Sequence, residues 1–183
     1  LGSFMYVGTA AGQIYITQTA GGGNGTNWFN VSLGLDGSQV KQIVTNPNRN
    51  SHSAYAVTTT GVFFIKDSVA LSQDPTNVTK GWVKVTGNLQ NLSYTIFGQP
   101  YQSNTGTNPL SQTLSLNANV ADWRYPIPNA ANDPAGAGYH PVLYVSGDSG
   151  VFRSLDDGLT WTLFPDQSID GAVDQGGYLP RTN

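Results

Sequence analysis

One skeleton recurs three times along this chain, and the recurrence narrows the fold more than any other feature. It runs as a β-prone segment around a Tyr, a Gly turn, an aromatic strand, a variable hairpin loop, and a returning strand led by Trp. The first copy is Phe4-Met5-Tyr6-Val7-Gly8-Thr9, then Gly12-Gln13-Ile14-Tyr15-Ile16-Thr17, then Trp28-Phe29-Asn30-Val31. The second is Ala54-Tyr55-Ala56-Val57-Thr58-Thr59, then Gly61-Val62-Phe63-Phe64-Ile65, then Gly81-Trp82-Val83-Lys84-Val85. The third is Val142-Leu143-Tyr144-Val145, the turn Gly147-Asp148-Ser149-Gly150, then Val151-Phe152-Arg153, and finally Trp161-Thr162-Leu163-Phe164. β-Branched and aromatic residues between Gly turns favour short antiparallel strands. A small sheet of this kind cannot bury its apolar face alone, so successive copies are expected to stack.

Spacing sets the size of the unit. Gly12 and Gly61 lie 49 residues apart, which suits one four-stranded unit of roughly 40–50 residues. Gly61 and Gly150 lie 89 apart. We read the excess as an insertion, because residues 99–119 are rich in Asn, Pro and Gly and look like loop. A leading inner strand is expected at Val40-Lys41-Gln42-Ile43-Val44 for the second copy. Val120-Ala121-Asp122-Trp123-Arg124 fills that role for the third, and the first has none. The units are therefore 1–37, 38–91 and 118–165, with an insertion at 92–117 and a connector at 166–183.

The loop of the third copy carries the most specific motif. Ser154-Leu155-Asp156-Asp157-Gly158-Leu159-Thr160-Trp161 reads Ser-x-Asp-x-Gly-x-Thr-Trp. Asp-Gly is a hairpin signal, since a short carboxylate accepts bonds from turn amides and Gly tolerates positive φ. Trp161 opens the returning strand and offers a large apolar face to cover the turn. The pattern resembles the Asp-box, or BNR repeat, of β-propellers such as sialidases, xyloglucan-cleaving glycosidases, sortilin-type receptors and a photosystem II assembly factor. The resemblance implies an all-β fold, a partial β-propeller of about three four-stranded antiparallel blades. It also implies structural rather than catalytic roles for Ser154, Asp156, Gly158, Thr160 and Trp161, because the box generally sits at the blade periphery. In the first copy only Gly25-Thr26-Asn27-Trp28 keeps the end of the motif, and in the second the loop from Lys66 to Lys80 replaces it.

Composition excludes several classes of function. Charged residues make up 10% of the 183, with a net charge of −3, which argues against nucleic acid as a partner. There is no Cys, hence no disulfide framework and no thiolate metal site. All 11 acidic residues are Asp. The sialidase constellation resembled through the box needs a Tyr–Glu pair and an arginine cluster, and this chain has no Glu. The xyloglucan-cleaving enzymes use Asp pairs, so Asp36, Asp122 and Asp148, near expected strand ends, remain candidates for a cleft. No apolar run approaches the roughly 18 residues of a membrane span.

The insertion and the strand after it carry the binding candidates. Trp123-Arg124-Tyr125 is the densest aromatic patch, and flat rings beside amides suit sugar rings; covering a local core is the competing role. Gly21 to Thr26 lacks the Gly-Lys-Ser/Thr ending of a phosphate loop and reads as a hairpin tip. His52 and His140 stand apart and read as surface or turn residues. Asp166, Asp170 and Asp174 lack the spacing of a calcium loop. No catalytic residue, metal site or cofactor is expected.

Three blades cannot close a ring of typically four to eight, and open edges invite pairing. The expected partners are therefore remaining blades of the same protein or partner subunits, with glycans as a further option. Few charges, no Cys and abundant Asn, Gly and Thr resemble large bacterial surface proteins. The expectation is a non-catalytic structural or interaction module, extracellular or on the cell surface. The alternative is part of a glycoside hydrolase or carbohydrate-binding propeller.

Overall fold

The computed structural model describes residues 4–22, 27–48, 50–89, 95–96, 99–100, 116–128, 138–147 and 150–164. They form three antiparallel sheets, none of them closed, and one short extra strand pair. The first sheet holds β1 (Met5–Gly8), β2 (Ile14–Thr17) and β3 (Phe29–Asn30). The second holds β4 (Val40–Thr45), β5 (Ala54–Thr58), β6 (Val62–Ile65) and β7 (Val83–Lys84). A pair, β8 (Thr95–Ile96) and β9 (Gln99–Pro100), precedes the third sheet. That sheet holds β10 (Leu116–Pro128), β11 (Tyr139–Gly147), β12 (Gly150–Ser154) and β13 (Thr162–Phe164).

The sheets stack in chain order, and the alternation of side chains along each strand decides which core a residue joins. Ile14 and Ile16 of the first sheet meet Ala54, Ala56, Phe63 and Ile65 of the second in one core cluster. From the opposite face of the second sheet, Tyr55, Val57, Val62 and Phe64 meet Leu143, Val145 and Phe152 of the third. The second sheet is thus covered on both sides. Every residue of β5 and β6 is buried, which is why these strands read as unbroken apolar runs rather than alternating ones. In β1 three of the four residues are exposed.

Several expectations change against the structure. Among the described residues the first sheet has three strands; four-strandedness holds for the other two. The loop after β6 contains a short helix, α1 (Ser68–Gln73), and a 3-10 turn at Val78–Lys80. Asp67 caps α1 by accepting from the amides of Val69 and Ala70, so the sequence carried a start signal. Six residues are too few to display helical periodicity. Strand β10 begins inside the stretch read as loop and continues past Arg124 to Pro128. Residues 23–26 of the glycine-rich tip, Asp148, Asp166, Asp170 and Asp174, and the connector 166–183 lie outside the described residues.

Candidate functional site

Two places gather polar chemistry, and the first is the turn at 154–161. Ser154 Oγ accepts from the Gly158 amide at 2.8 Å and donates to Asp156 Oδ1 at 2.8 Å. Asp156 accepts from the Thr160 amide at 2.8 Å and from the Thr160 hydroxyl at 2.5 Å. Burial works to raise the Asp156 carboxyl, but the bonds from Thr160 and Ser154 outweigh it and hold the group below the ordinary Asp value. Asp157 adopts φ +56° and Gly158 φ +84°, the left-handed region that a tight hairpin turn requires. A Cβ on Gly158 would sit 2.5 Å from the Val85 carbonyl oxygen. The neighbouring sheet therefore approaches too closely for any side chain at that position.

This turn is also a junction between sheets. Trp161 is 1% exposed. Its indole N–H lies 3.1 Å from the carbonyl oxygens of Val85 and Gly158, so it bridges the end of the second sheet to its own turn. Its backbone N–H donates to Asn88 Oδ1 at 2.7 Å, and Asn88 Nδ2 returns a bond to the Trp161 carbonyl at 3.3 Å. Asp157, fully buried, accepts from the Tyr55 hydroxyl of β5. That bond spans 102 residues, and no local spacing announced it.

The junction between the first and second sheets repeats this geometry. The Trp82 indole N–H donates to the Val31 carbonyl at 2.7 Å, and the Trp82 amide donates to the Leu33 carbonyl at 2.8 Å. Gly34, at φ +94°, lets the Trp82 carbonyl approach to within 2.2 Å of where a Cβ would be. The acceptors sit in matching segments, Val31-Ser32-Leu33-Gly34-Leu35 and Val85-Thr86-Gly87-Asn88-Leu89. Ser32 Oγ accepts from the Ile14 amide at 2.9 Å, and Thr86 Oγ1 accepts from the Val62 amide at 3.0 Å. Leu35 and Leu89 each close a turn onto the Ser32 or Thr86 carbonyl at 3.0 Å. This second repeated motif, Val-Ser/Thr-x-x-Leu, was present in the sequence and went unread.

The second place is a groove of about 550 Å³ between the first strands of the second and third sheets, lined by Thr45, Pro47, Ala121, Asp122, Trp123 and Arg124. Between Asp122 and Ile127 the register of β10 against β11 breaks, so Trp123, Arg124 and Tyr125 lie in an irregular stretch of strand. Arg124 binds Asp122 through Nε at 2.9 Å and Nη2 at 2.6 Å. The Arg124 side chain, and after it the Arg124 amide, hold the Asp122 carboxyl down to about 2. Trp123 packs against the core of the second and third sheets. Its indole Nε1 is shielded and has no hydrogen-bond partner among the described residues, an uncommon state for a buried donor.

Other candidates are held by internal contacts. Asp36 accepts from the Ser38 amide and hydroxyl at 3.0 and 2.8 Å, from Thr60 Oγ1 at 2.5 Å and from Thr58 Oγ1 at 3.2 Å. It ties the link before β4 to the turn between β5 and β6. His140 is not a surface residue: it is 2% exposed in β11, with Nδ1 2.9 Å from the Pro141 carbonyl. The His52 ring lies tilted against Phe4, 4.8 Å between centroids, and the His52 carbonyl accepts from the Tyr6 hydroxyl. Burial pushes that hydroxyl well above the usual tyrosine range. Among the described residues no group of three or more His, Cys, Asp or Glu could hold a metal ion, and no helix is long and apolar enough to cross a membrane.

No family model, no curated protein and no solved structure matches this chain.

Proposed function

We propose that the protein is a non-catalytic structural or interaction module, extracellular or on the cell surface, built from blades of the Asp-box propeller type. One observation carries the proposal. Two successive sheets are each fastened to the one before by an indole N–H donating to a carbonyl. In the first sheet the equivalent Trp28 is only half-buried, and no described residue accepts from its ring N–H. The cross-strand pairs Met5–Thr17 and Val7–Tyr15 match Ala54–Ile65 and Ala56–Phe63 of the second sheet. Ala54 and Ala56 are 1% and 0% exposed beneath the first sheet, whereas Met5 and Val7 are 46% and 40% exposed. A further sheet of the same kind, with a Val-Ser/Thr-x-x-Leu end, fits this face. The engagement of Asp36, Asp156 and Asp157 in internal bonds supports a structural rather than a hydrolytic role. Few charges and abundant Gly, Asn and Thr, a composition that resembles bacterial surface proteins, support the extracellular assignment.

A photo-activatable residue in place of Val7, used on cells that make the protein, tests the reading. The expected cross-link lands in a β-sheet segment carrying that Val-Ser/Thr-x-x-Leu end. Cross-links scattered over unrelated surfaces would refute the interface, and reducing ends released from polysaccharides by the purified chain would refute the non-catalytic role.

A second reading has its own observation, the groove at Trp123. A groove lined by Trp123 beside an Asp–Arg pair suits a sugar ring, as a carbohydrate-binding propeller or part of a glycoside hydrolase would require. A glycan array separates the two: hits lost on Trp123→Ala favour the groove, and an empty array removes it.

A further inference from the structure

We propose that the free edge of β1 is a strand-addition site, taking one extended segment of a partner polypeptide that carries β-branched apolar residues, as β4 does with Val40, Ile43 and Val44. This rests on the interaction-module reading and specifies what one partner must present. In the second sheet β4 lies against β5, with Val44 opposite Tyr55 and Ile43 opposite Ala56. In the third, β10 lies against β11, with Val120 opposite Tyr144 and Ala121 opposite Leu143. β1 is the counterpart of β5 and β11, yet it has β2 on one side and no strand on the other among the described residues. Both strands of the leading class are already paired within the chain, β4 with β5 and β10 with β11. The occupant must therefore come from outside these residues.

The chemistry of the occupant follows from its two internal counterparts. An edge strand offers a row of backbone N–H and C=O groups, and an added strand gains affinity from those bonds and specificity from alternate side chains. In β4, Val40 and Ile43 pack toward the core while Lys41 is exposed. Beside the β1 edge, exposed Met5 and Val7 offer apolar contact at alternate positions. No charged residue stands in β1, so the edge lacks the lysines that commonly discourage pairing. A strand of four to six residues with small or β-branched apolar side chains fits; one interrupted by Pro does not.

The probe is a synthetic peptide of residues 38–46, carrying the β4 sequence, added to the full chain and followed by amide hydrogen exchange. At about 1 mM peptide, where a weak site of that Kd is half filled, exchange at Met5–Gly8 is expected to slow severalfold, while β5, whose edge is already taken, is unchanged. The same peptide with Ile43→Pro should have no effect. Unchanged β1 exchange with the parent peptide would overturn the proposal. So would protection of β1 before peptide is added: if concentration-independent, the chain fills its own edge, and if it grows with protein concentration, two copies pair through β1. Loss of peptide protection alongside a retained Val7 cross-link would defeat strand addition alone and leave the interaction module standing.

Discussion

The first and second sheets share a ladder and differ in company. Their central strands pair in the same register, and both end in a Val followed by a hydroxyl residue that clamps the strand before it. The second sheet is covered on two faces and the first on one. Exposure tracks that difference: Ala54 and Ala56 are buried under a neighbour, and Met5 and Val7 at the same positions are exposed. The strand pairing common to these sheets is set by the Gly turns and the alternation of residues, whatever covers the face.

The most forceful way to break the comparison is at the two buried indoles. Trp161→Ala and Trp82→Ala should each cost roughly 3–5 kcal/mol, as for other large buried aromatics. Chemical denaturation reads this directly. A loss near 1 kcal/mol at either would mean that the sheets are held together by something other than these tryptophans. Next in size is the bond between Tyr55 and Asp157, which only the junction of the second and third sheets possesses. Tyr55→Phe should cost about 1–3 kcal/mol, the range for taking a partner from a buried polar group, here the Asp157 carboxyl. Its counterpart Tyr6→Phe, facing the His52 carbonyl and Ser68 hydroxyl, should cost less because those bonds are only partly buried, whereas the Tyr55–Asp157 bond is buried. Equal losses would erase the asymmetry between the junctions.

Acid sharpens the contrast within the turn itself. Asp156 has its carboxyl lowered on folding. Its contribution is complete above the ordinary Asp value of 3.8 and disappears as pH falls through the lower folded value. Asp156→Ala should therefore cost about 1 kcal/mol at neutral pH, and the difference from the parent should shrink in acid. A penalty that stays constant down to the acid limit would show that the carboxylate is not the operative group. Asp36, lowered in the same sense by Ser38, Thr60 and Thr58 against its burial, adds an acid-sensitive tie at the other junction.

What the sequence disclosed divides along sequence distance. The bonds of the 154–161 turn run between residues two and four apart, so a local pattern of Ser, Asp, Gly and Thr announced them. The recurrence of Gly and Trp likewise announced three sheets. The bond from Tyr55 to Asp157 and the indole bonds from Trp82 and Trp161 connect residues 51 to 102 positions apart. They depend on how sheets stack, which residue periodicity within one strand does not encode. The groove at Trp123 lay between: its residues were singled out, but Thr45 and Pro47, which complete it from the second sheet, were not.

The smallest expected effect is the one that tests the comparison most finely. Trp28 stands 54 residues before Trp82, as Val31 stands 54 before Val85. If burial against a preceding sheet gives these tryptophans their worth, then Trp28→Ala in the isolated chain should cost under about 1 kcal/mol, in the range of exposed substitutions. The same substitution should remove the Val7 cross-link to a neighbour, because it removes the indole N–H that would donate to a carbonyl of that neighbour. A cost for Trp28 as large as that for Trp82 would mean that the first sheet is already capped within its own chain. The exposed Met5 and Val7 would then be an ordinary surface rather than a face awaiting a partner.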